Sequence, residues 1–141
     1  MKKLNLYKHY KNNKSMILVE VSIGEILDKL TILSIKKNRI SDPEKLVHIG
    51  KEYDILEEKS KHYLDSKEVK DLFDELIDVN LKLWIIEDDL RDLESQKRFD
   101  DEFVQKARLV YMTNDLRFKL KNQINQITNS GVQEQKGYKA Y

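Results

Sequence analysis

Apolar residues recur at helical spacing in four stretches of this chain, separated by short polar breaks. After Ser22 they fall at Ile23, Ile26, Leu27, Leu30 and Leu33, the spacing of an amphipathic helix. Ser22 and Glu25 form an S-x-x-E capping box, and Val21 and Ile26 occupy the positions of a hydrophobic staple. The pattern therefore predicts a helix opening at Ser22 and ending near Ile40. Asp42-Pro43 restarts the chain at once, with an N-cap acid followed by a proline at the first helical position. This second helix should bury Leu46, Ile49, Tyr53, Leu56 and Tyr63, and so short a link sets it antiparallel to the first. Gly50 is expected to permit close packing opposite Leu33.

The third stretch opens near Ser66 and has the strictest pattern. Leu72, Leu76, Val79, Leu83, Ile86, Leu90 and Leu93 alternate steps of four and three, a heptad seam. From Lys67 to Glu94, about 28 residues would span about 42 Å as a helix. The fourth runs from Asp101 to Thr128, with Leu109, Met112, Leu116, Leu120, Ile124 and Ile127 as its apolar line. Phe99-Asp100-Asp101 supplies acidic caps between the two, and Asn129-Ser130-Gly131 supplies a stop. The expected fold is all-α: a four-helix arrangement of two antiparallel hairpins, the second long. A short extended segment over Ile17 to Val21 precedes it. Residues 1–15 form a basic tail with five Lys and no acid, and 16–141 form a single helical domain without repeats. The seam also makes the chain a candidate homodimer, because the long hairpin outreaches the short one.

Polar residues interrupt the apolar faces of the long pair. Asn80, Glu87 and Arg91 share a side with Phe73, Ile77 and Trp84, while Arg108, Asn114, Asp115 and Asn125 share one with Phe103, Tyr111 and Phe118. Burying such groups is costly unless they pair with each other or with a ligand. A hairpin folded about residue 97 or 98 opposes positions whose numbers add to about 195. Glu87 then faces Arg108, Trp84 faces Tyr111, and Asn80 faces Asp115. Only five Arg occur among 26 basic residues, and Arg91, Arg108 and Arg117 all lie in these helices. Arg presents a planar fork to carboxylate or phosphate that Lys cannot copy. The expected site is therefore a polar cleft built from Trp84, Glu87, Asp88, Arg91, Arg108, Tyr111, Asn114, Asp115 and Lys121, binding an anionic small molecule or a partner protein. A salt-bridge network that only fixes helix register is the structural alternative.

Charge and composition narrow the field. The net charge of +1 gives no overall drive toward nucleic acid or acidic membranes, although the basic tail could act as a phosphate-binding arm. With no Cys, thiolate chemistry and disulfides are excluded. No apolar run approaches the ~20 residues of a membrane helix, and Met16 to Val19 is too short for a signal-peptide core. A soluble cytoplasmic protein is expected, without membrane insertion. His9, His48 and His62 have no metal-ligand spacing, and no nucleophile elbow occurs. No metal or other cofactor is required by the preferred reading. The enzymatic alternative is a Mg²⁺-dependent nucleotide or nucleotide-sugar hydrolase, with Glu25, Asp28, Glu87 and Asp88 holding the ion. All-α pyrophosphatases carry such carboxylates on paired helices, but their E-x-x-E…E-x-x-D pattern is met here only in part. A structural assembly protein with no ligand is the third option.

Ser22-Ile23-Gly24-Glu25 followed by Asp28-Lys29-Leu30-Thr31-Ile32-Leu33 resembles the opening of a family of small uncharacterised bacterial proteins. Leu83-Trp84 with Glu87-Asp88, Ala107-Arg108 with Val110-Tyr111, Asn114-Asp115 with Arg117, Lys121 with Ile124-Asn125, and the closing Glu134, Lys136, Tyr138 and Tyr141 extend the likeness. It covers about Val19 to Tyr141. The resemblance implies a domain of unknown function, with a loose association to cell-surface polysaccharide genes and no mechanism. It draws interest to the same polar positions, and to Lys136 and Tyr138.

Overall fold

The computed structural model describes residues 15–141, so the basic tail and its phosphate-arm reading lie outside the described residues apart from Ser15. Four helices follow: α1 (Ile23–Arg39), α2 (Pro43–Ser60), α3 (Lys67–Ser95) and α4 (Asp101–Ile127), with a 3₁₀ turn at Lys61–Asp65. Each expected cap forms. Ser22 Oγ accepts from the Glu25 N–H, Asp42 Oδ1 from Glu44 and Lys45, Ser66 Oγ from Val69, and Asp100 Oδ1 from Phe103. These bonds satisfy N–H groups that the first helical turn leaves without partners. The fold is all-α, with no strand among the described residues. Ahead of α1, residues 15–21 adopt no regular structure and are exposed.

Helices α3 and α4 end alike. Lys97 and Asn129 take positive φ, of 54° and 51°. In each case the next N–H reaches back to the last turn, Arg98 to Leu93 O and Ser130 to Asn125 O. These are Schellman stops made without glycine. The second one matters for the site, because it fixes Ser130 beside the start of α1.

Helix α1 is the centre of the packing. It contacts α2, α3 and α4, whereas α2 meets only α1 and the 3₁₀ turn. Leu27 of α1 joins Val69, Leu76, Val79 and Leu83 of α3 and Leu120 and Ile124 of α4 in one core, with Tyr63, Leu64 and Phe73 packed against it. The α3 seam is thus used inside the protomer. On α4 the expected apolar line holds only in part, since Leu116 is 48% and Ile127 45% exposed. The helix is turned so that Thr113, Leu120, Lys121, Ile124 and Asn125 are buried instead. A third helix lying against both members of the hairpin accounts for this, because it draws inward a face that a two-helix pairing leaves outside. Gly50 has open space around its Cα, so it does not mediate the close packing expected of it.

Candidate functional site

The close approach belongs to Gly24. A Cβ built there would stand 2.5 Å from the backbone oxygen of Lys121 and 2.9 Å from Asn125 Oδ1. Only a residue without a side chain lets α1 cross α4 this tightly. The crossing completes the cap of α1. Ile23 N–H donates to Ser130 Oγ at 3.2 Å, and Gly24 N–H donates to Asn125 Oδ1 at 2.7 Å. With Glu25 capped by Ser22, the first three N–H groups of α1 all have side-chain partners, two of them from the end of α4.

One turn further along α1, Asp28 is 1% exposed. Arg117 of α4 grips it through two bonds, Nε to Oδ1 at 2.9 Å and Nη2 to Oδ2 at 2.5 Å. Asn80 of α3 donates to the same Oδ1 at 2.8 Å and to Thr31 Oγ1 at 2.7 Å. Thr31 in turn donates to the Asp28 backbone oxygen at 2.7 Å. A buried carboxylate is stable only when paired and hydrogen-bonded in this way. The network joins three helices, and its bonds to Asp28 hold the Arg117 guanidinium above its ordinary pKa, against the opposing effect of burial.

A second layer lies outside it. Lys121 Nζ stands 2.7 Å from Glu25 and 2.9 Å from Glu134, whose other oxygen is 3.4 Å from Lys136. Burial pulls the Lys121 pKa down, but its bonds to the two carboxylates outweigh that and keep it raised. Glu134 is held below its usual value, first by its bond to Lys121. The capping box of α1 is therefore half formed, with the Glu25 side chain turned to Lys121 instead.

Three hollows open beside these layers, and Asn114 lines all of them. A groove of about 370 Å³ between α3 and α4 is walled by Trp84, Glu87, Asp88, Arg91, Asn114 and Arg117. A smaller hollow of about 240 Å³ is almost wholly polar, with Arg117, Lys121, Lys136, Glu25 and Glu134. The third lies under the C-terminal tail and includes Tyr111 and Asp115. Tyr141 meets Tyr111 edge-on at 5.2 Å and donates to Asp115 Oδ2 at 2.8 Å.

The expected site is thus divided. Trp84, Glu87, Asp88, Arg91 and Asn114 do share a groove, Tyr111 and Asp115 face the tail, and Lys121 sits with the second layer. The register itself holds, because Lys106 and Asp89 pair at 2.8 Å and their numbers add to 195. The expected partners do not meet. Arg108 is exposed and donates to Gln105 of its own helix, and among the described residues it forms no ion pair with Glu87. Asn80 turns to Asp28 and Thr31, not to Asp115. The rotation of α4 described above explains both departures: residues 108 and 115 leave the inner face while 117 and 121 enter it. Nor do Glu25, Asp28, Glu87 and Asp88 form one cluster, since Asp28 is bound to Arg117 and Glu25 to Lys121. Among the described residues no three acidic or histidine side chains gather to hold a metal.

Asp28 as a partner of Arg117, and Glu134 as a partner of Lys121, were missed. A signal for the first stood in α1, where Gly24, Asp28 and Thr31 form a small, polar stripe between apolar positions on both sides. That is the pattern of a helix covered all round. No helix among the described residues is long and apolar enough to cross a membrane. A model for a family of unknown function, DUF6165, matches residues 17–141. No curated protein and no solved structure matched the chain.

Proposed function

The chain belongs to that family of unknown function, and from its geometry we propose a non-catalytic helical module that binds an anionic small molecule in the groove between α3 and α4. One observation carries this reading. Arg117 is fixed by a buried carboxylate through Nε and Nη2, yet it lines both the groove and the polar hollow. Its remaining N–H groups have no protein partner among the described residues. A guanidinium oriented in advance loses little freedom when it meets a phosphate or carboxylate. Arg91 supplies a second positive group, Asn114 an amide, and Trp84 a flat apolar wall.

Trp84 is the only tryptophan, so its fluorescence reports on the groove directly. We expect a saturable change on titration with inorganic pyrophosphate, uridine diphosphate and sugar nucleotides. Asn114→Ala should weaken binding on the order of tenfold, the worth of one lost hydrogen bond to a charged group. A flat fluorescence response to every one of these anions would overturn the reading. A Mg²⁺-dependent response abolished by Glu87→Gln would favour a hydrolase instead.

An assembly role without a ligand also draws on a specific feature. Among the described residues, no buried side-chain nitrogen or oxygen lacks a hydrogen-bond partner. A homodimer would have to use surface residues of the long hairpin such as Ile85, Phe99 and Val104, which remain exposed. A concentration-dependent dimer by sedimentation, with no response to anions, would favour this role.

A further inference from the structure

Beyond Ser130 the chain has no regular structure and, among the described residues, no backbone–backbone hydrogen bond. It is nonetheless held at defined points by side chains. Ser130 Oγ donates to Val132 O at 2.7 Å, Glu134 pairs with Lys121, and Tyr141 is bonded to Asp115. Lys136 pairs with Glu134 and stands 6.0 Å from the centre of the Phe118 ring. A segment fastened only through side chains can open locally without unravelling a helix.

The chemistry of the fastening is informative. Lys121 already has a carboxylate on rigid α1, Glu25 at 2.7 Å. Glu134 adds one from the tail. Glu134 lines the small polar hollow together with Glu25, Arg117, Lys121 and Lys136. That hollow shares Asn114 and Arg117 with the groove. A carboxylate is thus placed beside three cations and Glu25 at the end of the groove, on a segment fastened only through side chains.

We infer that this hollow is the seat for the ligand's phosphate or carboxylate group, and that Glu134, on its wall, occupies Lys121 in the free protein as a displaceable internal competitor. The inference rests on the groove reading above and adds both the position of the anionic group and its regulation. Binding replaces the Glu134 carboxylate on Lys121 by the ligand's own oxygens, with charge conserved at the lysine, and frees the tail. Anything that held the tail down would weaken binding, and anything that drew it away would strengthen it.

The test compares the whole chain with its Glu134→Gln variant, using inorganic pyrophosphate and uridine diphosphate in parallel and following Trp84 fluorescence. Backbone ¹⁵N relaxation of residues 131–141 is measured with and without each anion. Affinity should rise on the order of tenfold in the variant, as a charge-assisted bond no longer competes. In the unmodified chain, saturation with either anion should raise the mobility of the tail. Glu25→Gln removes a charge from the same lysine on a rigid helix, and should gain clearly less. Equal gains in the two variants, without a more mobile tail, would mean simple charge repulsion and overturn displacement. Unchanged affinity in Glu134→Gln would overturn the competitor and leave the groove reading standing. Weaker binding would make Glu134 a ligand contact, which also overturns it. If neither anion binds either protein, the groove reading and the competitor fail together.

Discussion

The base and the tip of the α3–α4 hairpin use the same kinds of side chain to different ends. At the base, Asp28, Arg117, Asn80 and Thr31 are locked together across three helices. At the tip, Arg98 pairs with Asp100 and Glu102, Lys106 with Asp89, and Arg108 with Gln105, all at or near the surface. Length explains the difference. At ~1.5 Å per residue, α1 covers roughly 25 Å of a hairpin roughly 43 Å long. Charged groups under α1 lose their water and must be matched bond for bond, whereas those beyond it stay hydrated, where ion pairs are worth about 0–1 kcal/mol. Burial by a third helix, and not the identity of the residues, decides which polar groups become structural.

The sharpest way to break this comparison is to remove one arginine from each end. Arg117→Met strands a buried carboxylate and should cost about 3–5 kcal/mol of stability. Arg108→Met should stay within about 0.5 kcal/mol of the unmodified chain. Urea denaturation measures both. Similar values for the two would mean that the base is no more demanding than the tip.

The same contrast shows what the sequence could reveal. Helix positions, caps and hairpin register depend on local spacing, so Ser22, Asp42, Ser66 and Asp100 all cap where expected and Lys106 meets Asp89. The choice of Arg108 over Arg117 depended on how α4 is turned about its axis. One residue is about 100° of helix rotation, and that angle is set by where α1 docks. The spacing of residues in two helices carries no information about where a third one docks. The groove was legible in Trp84, Glu87, Asp88, Arg91 and Asn114 because those positions border the α3–α4 seam. Glu134 was not assigned a role, since a tail without periodicity offers no geometry to reason from.

Glycines extend the comparison to the two sides of α1. Gly24→Ala forces a methyl against the Lys121 backbone and should destabilise by about 1–3 kcal/mol, because two helices must separate. Gly50→Ala, in the interior of α2 with nothing near its Cα, should instead stabilise by up to about 1 kcal/mol through helix propensity. Thermal melts of both variants decide it. A loss at Gly50 would show that the outer side of α1 is packed as tightly as the inner.

The smallest expected effect concerns the tail, where base-type pairing is made by a segment that lacks a helix. Glu134 is held below the ordinary carboxyl value of 4.5, chiefly by its bond to Lys121. A carboxyl whose folded pKa is depressed contributes fully above its unfolded value and loses that contribution as pH falls through the folded one. Lys121 is raised above 10.5, so its contribution is complete below that value and is lost as pH climbs through the folded one. Docking of the tail should therefore be level across neutral pH and weaken at both ends. Glu25, Arg117 and Lys136 face the same hollow. Both steps act through the Glu134–Lys121 bond, so the low-pH and the alkaline change in the Gly137 amide resonance should shrink together in Glu134→Gln. An undiminished acid step would show that Glu134 does not fasten the tail, which would then be held by Ser130 and Tyr141 alone.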